Sequence, residues 1–207
     1  MGEIHIDLFM TLDGVVQAPG GRNEDTEGGF EFGGWQAPLF DDETGRIVSA
    51  DIERLDALLL GRKTYDIFAA YWPNATQDGD IANRFNEVRK YVVSHGNAPL
   101  EWAGSERLGD DIEAEVRRIR DRHREVHVIG SANLVQSLLA HDLFDRLNLW
   151  VYPILLGGGK QAFAGGTVPA NLRLVEPPVA TAKGAVLLRY ERAEGTPATG
   201  DMDEDRS

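Results

Sequence analysis

The chain has 207 residues, a length at which one α/β domain buries a substantial core without disulfides or metal ions. Its 34 acidic residues outnumber 21 basic residues and leave a formal net charge of -13. This balance argues against a nucleic-acid partner, because binding a phosphate backbone needs clustered lysine and arginine; small anionic ligands need only a local patch. The absence of cysteine excludes disulfides, thiol catalysis and cysteine-ligated zinc.

The two termini predict where the protein is located and where its domain ends. Residues 1–5 lack the basic and apolar regions of a signal peptide, and no apolar run approaches the roughly 18 residues of a membrane span. We therefore expect a cytoplasmic protein without a membrane partner. Residues 195–207 are rich in Gly, Pro, Thr and acids and lack apolar periodicity. They predict a disordered acidic tail after a single domain at residues 1–194.

Strand and helix signals alternate along this domain. In chain order the patterns predict strand 4–10, a glycine-rich loop 11–34, helix 42–56, strand 57–60, a helix after residue 62, strand 91–93, helix 109–124, strand 126–129, helix 131–141, strand 147–156, and late strands 172–176 and 185–191. Asp110 is the predicted N-cap of helix 109–124, and Pro153 is predicted at a bulge or edge of its strand. The predicted fold class is a three-layer α/β domain with a central, mostly parallel sheet, antiparallel C-terminal strands and helices on both faces.

The first candidate site follows strand 57–60, which ends at Gly61 and leads directly into Arg62, Lys63 and Thr64. Free backbone N–H groups and the positive end of the helix dipole make such a turn an anion site. The two basic side chains and the hydroxyl would add further donors. The alternative is an ordinary strand-to-helix turn with a solvated basic pair.

The second candidate site repeats this geometry, with Gly130 and Ser131 following strand 126–129 and Ala132, Asn133 and Leu134 continuing into a helix. The glycine lets a phosphate approach the backbone, and the serine is a predicted N-cap. The alternative is an N-cap with no ligand.

The third candidate is Ser94, which follows strand 91–93. Most hydroxyl residues at such places merely end a strand. However, open α/β sheets bind ligands at the carboxyl ends of their strands, and all three candidate sites lie there. Two phosphate-type turns with a third polar strand end between them favour a dinucleotide or phosphate ligand.

These segments resemble the dihydrofolate reductase superfamily. Gly61-Arg62-Lys63-Thr64-Tyr65 is similar to the motif that binds the phosphates of the cofactor there, and residues 92–94 are similar to the strand end that holds the adenosine ribose phosphate. Residues 129–134 are similar to the pyrophosphate turn of the family, with Ser131 in place of its second glycine. The resemblance implies a dihydrofolate-reductase-like fold and NADPH as the hydride donor.

Two further segments resemble the reductase domain of riboflavin-biosynthesis deaminase-reductases: residues 11–14, Thr-Leu-Asp-Gly, and residues 153–159, which end in three glycines. The resemblance makes residues 11–34 a lid over the nicotinamide and assigns Gly14 and Val16 to the cofactor. Trp35, beside this lid, is a candidate to stack on a heterocyclic substrate, with ordinary packing as the alternative. Gly158 is a further candidate substrate residue, and the alternative for residues 157–159 is a tight turn. Some members of this branch are homodimers, so a homodimer is expected from the resemblance alone.

The proton donor is less well defined by the resemblance. Dihydrofolate reductases place a carboxylate early in the first helix, shortly after a Pro-Trp pair, and Gly34-Trp35 stands at that place here. The candidate acids are Asp13, Asp41 and Asp42, with water as a further source. The acids at the helix start equally well serve to stabilise its N-terminus.

The resemblance implies an NADPH-dependent reductase of a small heterocycle, with the phosphoribosylaminouracil reduction of riboflavin synthesis as the leading reaction and dihydrofolate or a pterin as the alternative substrate. A non-catalytic NADP-binding sensor is an alternative from another class. The chain has no cysteine and therefore lacks the deaminase motif P-C-x-x-C, which predicts a stand-alone reductase. The five histidines show no H-x-x-H or H-E-x-x-H spacing, so no metal site is predicted.

Overall fold

The computed structural model describes residues 1–76, 79–163 and 167–201. Within these residues, nine strands and five α-helices are present. The strands are β1 (Glu3–Thr11), β2 (Ala57–Gly61), β3 (Arg89–Val93), β4 (Ser105–Arg107), β5 (Glu125–Ile129), β6 (Arg146–Tyr152), β7 (Leu172–Leu174), β8 (Val179–Ala180) and β9 (Val186–Arg192). The helices are α1 (Asp42–Arg54), α2 (Arg62–Tyr71), α3 (Gly79–Glu87), α4 (Ile112–Arg120) and α5 (Ala132–Ala140).

One sheet contains all nine strands in the order β4-β3-β2-β5-β1-β6-β9-β7, with β8 also pairing β9. The first six strands of this order run parallel, and β6 with β9 and β9 with β7 pair antiparallel. The predicted fold class, a mostly parallel sheet with antiparallel C-terminal strands, is thereby confirmed. Because β2 and β5 are neighbours, the two glycine turns of the sequence lie side by side.

Alternate side chains of the buried strands enter two different cores. Ala57 and Leu59 of β2 pack in the core formed with α4 and α5, whereas Leu58 and Leu60 pack in the core formed with α1, α2 and α3. All five residues of β2 are buried, as expected for a parallel strand covered on both faces. The helices on both faces complete the predicted three layers.

Several predicted elements are shorter in the structure, among them helices 42–56 and 109–124 and strands 147–156 and 172–176, and one cap is displaced. Helix 109–124 is confined to α4, because the Asp111 carboxylate, and not that of Asp110, accepts the N–H of Ala114 and caps the helix. The predicted strand 147–156 ends at Tyr152, and Pro153 lies beyond it and not at a bulge within it. A proline has no N–H to continue the ladder, which accounts for this end.

The tail prediction is only partly covered by the structure. Residues 195–201 contain no helix or strand, and residues 202–207 lie outside the described part of the chain. Among the helices of the described residues, no segment combines the length and apolar character needed to cross a membrane.

A buried lysine lies beneath the edge of the sheet. The Lys90 side chain is fully buried, and its Nζ donates to the carbonyl oxygens of Asn86 at 2.7 Å and Ala103 at 3.0 Å. The ammonium also lies 4.4 Å from the ring centre of Trp102. Burial, with a smaller contribution from the charge of Arg89, lowers the pKa of Lys90 to about 8.

This lowered pKa predicts a rise in stability at alkaline pH. Between pH 8 and the ordinary lysine pKa near 10.5, the unfolded chain binds a proton at Lys90 that the folded chain has released. The free energy of unfolding therefore increases with pH across this window, by up to about 3 kcal/mol. Chemical denaturation of wild type and Lys90→Met from pH 7 to pH 10 measures it: the difference between them should move in favour of wild type as pH rises. A constant difference would contradict the lowered pKa.

Candidate functional site

The predicted ligand sites all follow carboxyl ends of parallel strands. Gly61 ends β2, Ser94 follows β3, Gly130 follows β5 and the turn at Asp13–Gly14 follows β1. Since these strands occupy consecutive places in the order β3-β2-β5-β1, the turns form a continuous row along one edge of the sheet. This is the edge where open α/β sheets bind ligands.

The turns after β2 and β5 are in direct contact. A Cβ added to Gly61 would lie 2.1 Å from Ser131 Oγ and 2.8 Å from Ser131 Cβ, so only glycine fits at that position. Gly130 and Ser131 have φ angles of 79° and 64°, in the left-handed region. Ser131 consequently makes no side-chain cap to α5, contrary to the prediction, because a capping serine normally has an extended backbone.

The two helices that directly follow β2 and β5 differ from α1 and α4 in their N-termini. Asp41 and Asp111 cap α1 and α4 with their carboxylates. By contrast, α2 and α5 have neither a side-chain cap nor an acid in their first turn. Their N-terminal N–H groups and positive dipole ends are thus left to an external anion at the two touching turns.

A pair of arginines lies beside the turn after β3. Arg62 Nη1 donates to the carbonyl oxygen of Ala98 at 2.8 Å, and Arg107 Nη2 donates to the same oxygen. Arg107 Nε is buried without a recorded hydrogen-bond partner among the described residues. Ser94 directly follows β3. This strand pairs with β4, in which Arg107 lies opposite Val92. Sequence reasoning missed Arg107, because only the β3–β4 pairing brings it to this edge.

The remaining predicted cofactor residues occupy two places. Ala132, Asn133 and Leu134 form the first turn of α5, where Leu134 is buried in the core. Gly14 has a φ of 83° in the turn after β1, and the Val16 N–H donates to the carbonyl oxygen of Lys160 at 2.8 Å. Thr64, in the first turn of α2, lies against Gly130. Their contact with a cofactor stays a prediction.

The glycine-rich segment 11–34 is fixed to its surroundings by one central side chain. Gln17 donates to the carbonyl oxygens of Asp25 and Glu27, and its Oε1 accepts the N–H of Lys160. The indole of Trp35 donates to the Gln17 carbonyl at 2.9 Å and is itself almost fully buried. Trp35, a predicted substrate residue, therefore also packs the segment onto the sheet.

Four charged side chains connect this segment to two other parts of the chain. Lys63 Nζ contacts Asp25 at 2.7 Å and Glu27 at 2.5 Å, and Lys160 Nζ contacts the same two acids at 2.6 and 2.7 Å. We call these four residues the lid ion-pair cluster. Lys63 was predicted to hold a phosphate, and a phosphate would have to compete with the two acids for its ammonium group.

Removing one lysine of the lid ion-pair cluster is expected to loosen the segment locally. Lys160→Met leaves two carboxylates facing only Lys63, which should lower the local opening free energy by about 1 kcal/mol because the cluster is partly exposed. Amide hydrogen exchange of residues 17–29 should accelerate about fivefold. The matched control is Lys183→Met, since Lys183 binds the carbonyl oxygens of Pro38 and Phe40 instead. Equal acceleration of amide exchange in both variants would contradict the conclusion that the lid ion-pair cluster holds this segment in place.

A cavity of about 510 Å³ opens beside the glycine-rich segment 11–34. Its lining includes Gln17, residues 27–32 and residues 158–160, among them the predicted substrate residue Gly158. The structure thus brings Gly158 to the same space as the lid segment. Nothing tests its contact with a substrate, which stays a prediction.

Two of the three predicted proton donors are committed hydrogen-bond acceptors. Asp13 accepts from the Thr11 hydroxyl at 2.5 Å and the Gly157 N–H at 2.7 Å, and these bonds lower its pKa. Asp41 caps α1 through the N–H and hydroxyl of Thr44, which lower its pKa to about 2. Asp42 is exposed in the first turn of α1. Both lowered pKa values make Asp13 and Asp41 weak proton donors at neutral pH.

A buried tyrosine ends β6, the strand that pairs with β1. Tyr152 lies at the carboxyl end of β6, and Gln36 Nε2 donates to its oxygen at 2.6 Å. Burial raises the pKa of Tyr152 to about 12, so the hydroxyl keeps its proton. Trp35 packs edge-on against the ring at 5.4 Å. Sequence reasoning missed Tyr152 because an apolar run gives no sign of a polar group at its end.

Comparisons with known proteins agree with this architecture. The family model described as the RibD C-terminal domain matches residues 3–183. The uncharacterized protein YyaP of Bacillus subtilis is 25% identical over 177 residues, covering 83% of this chain and 86% of YyaP.

Solved structures give the same picture of the fold. A protein from Shewanella sp. PV-4 named for riboflavin biosynthesis superposes with a TM-score of 0.70 at 18% identity, covering 93% of this chain and 99% of that one. A pyrimidine reductase-like protein from Corynebacterium diphtheriae gives 0.64 at 13% identity, with 94% and 93% covered.

A longer structure aligns over part of its length. The Thermotoga maritima deaminase/5-amino-6-(5-phosphoribosylamino)uracil reductase gives a TM-score of 0.61 at 16% identity. The alignment covers 93% of this chain and 57% of that protein. The RibD reductase family implies an oxidoreductase. With the family model matching residues 3–183 and the sheet order and turns as described, the chain belongs to the RibD C-terminal domain family, whose reductases have the dihydrofolate-reductase-like fold.

Proposed function

We propose that the protein is an NADPH-dependent reductase of a small heterocyclic substrate. The observation that carries the proposal is the pair of uncapped helix N-termini, α2 and α5, whose preceding turns touch at Gly61 and Ser131. A dinucleotide carries two linked phosphates, and two adjacent anion sites match that spacing of charge. When bound, NADPH supplies the hydride.

Different residues at this edge would bind different parts of the cofactor. The N-termini of α2 and α5 would bind the two phosphates of the pyrophosphate, with the hydroxyls of Thr64 and Ser131 as further donors. The absence of a side chain at Gly130 leaves room for close approach to the backbone, whereas Gly61 accommodates the side chain of Ser131. The acids of α1 and α4 occupy the helix starts that this role does not need.

Preference for NADPH over NADH would come from the arginine pair. Arg62 and Arg107 both donate to one carbonyl oxygen, that of Ala98. Arg62 also pairs with the Asp66 carboxylate of its own helix, so a phosphate would compete with this acid for the guanidinium group. A 2′-phosphate would offer charged oxygens to both guanidinium groups and to the Ser94 hydroxyl.

The substrate would lie against the cavity bounded by residues 27–32 and 158–160. The lid ion-pair cluster would hold the segment closed and exclude bulk water from the transfer. Because Asp13 and Asp41 are held as ionised acceptors, water is the proposed proton source. Catalysis would then depend mainly on positioning the two reactants.

The proposed substrate class is a phosphoribosylaminouracil, supported by the names of the similar reductases from Corynebacterium and Thermotoga. The test follows NADPH oxidation by the purified protein with this substrate and, separately, with dihydrofolate. Turnover with the aminouracil and little with dihydrofolate is the expected result. Turnover with dihydrofolate alone would contradict the substrate class. NADPH binding without turnover of either compound would contradict the reductase and favour a sensor.

A further inference from the structure

A polar cluster lies between the sheet and α1, away from the cofactor edge. His5 of β1 and His127 of β5 are directly paired across the parallel strands, on the face opposite the α4–α5 core. Glu125 lies two residues before His127 on the same face. The cluster lies about 20 Å from the carboxyl end of β1, since six residues separate His5 from Thr11.

Each imidazole has one nitrogen engaged by a carboxylate. His5 Nε2 lies 2.9 Å from Glu3, and His127 Nδ1 lies 2.7 Å from Asp7. The Asp7 carboxylate is held in turn by the Asn148 amide at 2.8 Å. These bonds point the second nitrogen of each ring, His5 Nδ1 and His127 Nε2, toward Glu125. Carboxylates that orient imidazoles in this way are typical of metal-binding histidines.

The three facing atoms have the spacing of a coordination sphere. Glu125 Oε1 lies 2.9 Å from His127 Nε2 and 3.5 Å from His5 Nδ1, and all three ligand atoms lie within 4.8 Å of one another. Ligands at about 2.0–2.1 Å from a tetrahedral zinc ion are about 3.4 Å apart. His127 is buried, while the Glu125 and His5 side chains retain some exposure, which leaves an entry path.

We propose that His5, Glu125 and His127 form a divalent transition-metal site that takes Zn²⁺, with a fourth position open to water. Two nitrogens and one carboxylate oxygen match the donor preferences of Zn²⁺ and disfavour Mg²⁺ and Ca²⁺, which require oxygen ligands. The ligands come from β1 and β5, two strands that are far apart in the sequence. The spacing of histidines along the chain therefore gave no sign of the site.

Two features of the cluster oppose metal binding and define the competing state. The charges of Asp7 and Glu125 outweigh the effect of burial and raise the pKa of His127 to about 9, so the metal-free ring carries a proton that a metal ion replaces. The Arg54 Nε lies 3.6 Å from Glu125 Oε1. Arg54 is half exposed and also pairs with Asp51, so its side chain can remain on α1 when an ion is bound.

The expected consequence is a stabilising link between β1 and β5. The site is far from the carboxyl edge, so Zn²⁺ should leave NADPH affinity unchanged. It should raise the melting temperature by about 5 °C or more when free Zn²⁺ exceeds its Kd a hundredfold.

The experiment titrates the chelator-treated full chain with Zn²⁺ and, separately, with Mg²⁺, by calorimetry. One Zn²⁺ per chain and no Mg²⁺ binding are expected. Glu125→Gln, which preserves shape, should weaken Zn²⁺ binding at least tenfold, and Asp7→Asn about tenfold or more. Arg54→Gln should strengthen it. Co²⁺ in place of Zn²⁺ should give visible absorption of a tetrahedral ion that Glu125→Gln loses.

The matched control is His141→Gln, because His141 contacts only the Ser137 carbonyl of its own helix among the recorded hydrogen bonds. It should leave the affinity unchanged. His127→Gln should abolish Zn²⁺ binding. If this substitution at a buried residue prevents folding, the result for Glu125→Gln decides the question. Equal affinities in wild type and Glu125→Gln, or no Zn²⁺ binding by wild type, would overturn the proposal and leave the cluster a proton-bridged ionic network.

Discussion

Replacing Gly61 by alanine is expected to weaken NADPH binding by more than tenfold and to destabilise the fold by about 1–3 kcal/mol. The added Cβ would lie 2.1 Å from Ser131 Oγ and 2.8 Å from Ser131 Cβ, so the turns after β2 and β5 must separate. Their separation displaces both helix N-termini from a common ligand. Chemical denaturation and nucleotide titration of the same preparation measure the two effects.

The second site supplies both a rescue and a control. Ser131→Gly removes the clashing atoms and relaxes a left-handed φ of 64°, so Gly61→Ala combined with Ser131→Gly should recover most of the stability and the affinity. Gly79→Ala is the matched control, since no atom of the described residues lies within 4 Å of its added Cβ. Failure of Ser131→Gly to rescue would contradict the direct contact of the two turns.

Arg62→Gln and Arg107→Gln are each expected to lower NADPH affinity by about 10- to 100-fold while changing NADH affinity by less than about twofold. Each loses a charge-assisted hydrogen bond to the 2′-phosphate, a contribution of about 1.5–3 kcal/mol. NADH has no phosphate there to lose. Titration of both nucleotides, followed by tryptophan fluorescence, separates this specific effect from general damage to the site.

Arg117→Gln is the control for the change in net charge. Arg117 is exposed on α4 and pairs with Glu113 of the same helix. It should leave both affinities unchanged. A parallel loss of NADPH and NADH affinity in Arg62→Gln or Arg107→Gln would show that the pair maintains the turn and does not select the phosphate.

The sequence was sufficient to predict most of the elements and the glycine turns, because both are local properties. It did not predict α3 or the short strands β4 and β8. Alternating apolar residues identified β1 and β5, and glycine at a strand-to-helix junction identified the turns after β2 and β5. The predicted cap at Asp110 was wrong by one residue, since adjacent aspartates compete for one helix start and only backbone geometry selects Asp111.

The relations between distant segments could not be predicted. β2 and β5 are neighbours in the sheet although residues 62–124 separate them along the chain, and this pairing brings Gly61 against Ser131. No local pattern encodes it. The same is true of Arg107 beside Arg62, and of His5 beside His127. The ion pair between Lys160 and Asp25 of the lid segment likewise joins residues that are far apart in the sequence.

Titration of the purified protein with NADPH and with NADH tests the central claim most directly. Saturable binding of both, with NADPH at least tenfold tighter, is the result that the touching turns and the arginine pair predict. Binding should protect amides at the start of α2 and α5 from hydrogen exchange. Failure of either nucleotide to bind, or protection elsewhere on the sheet, would contradict the assignment of this edge to the cofactor.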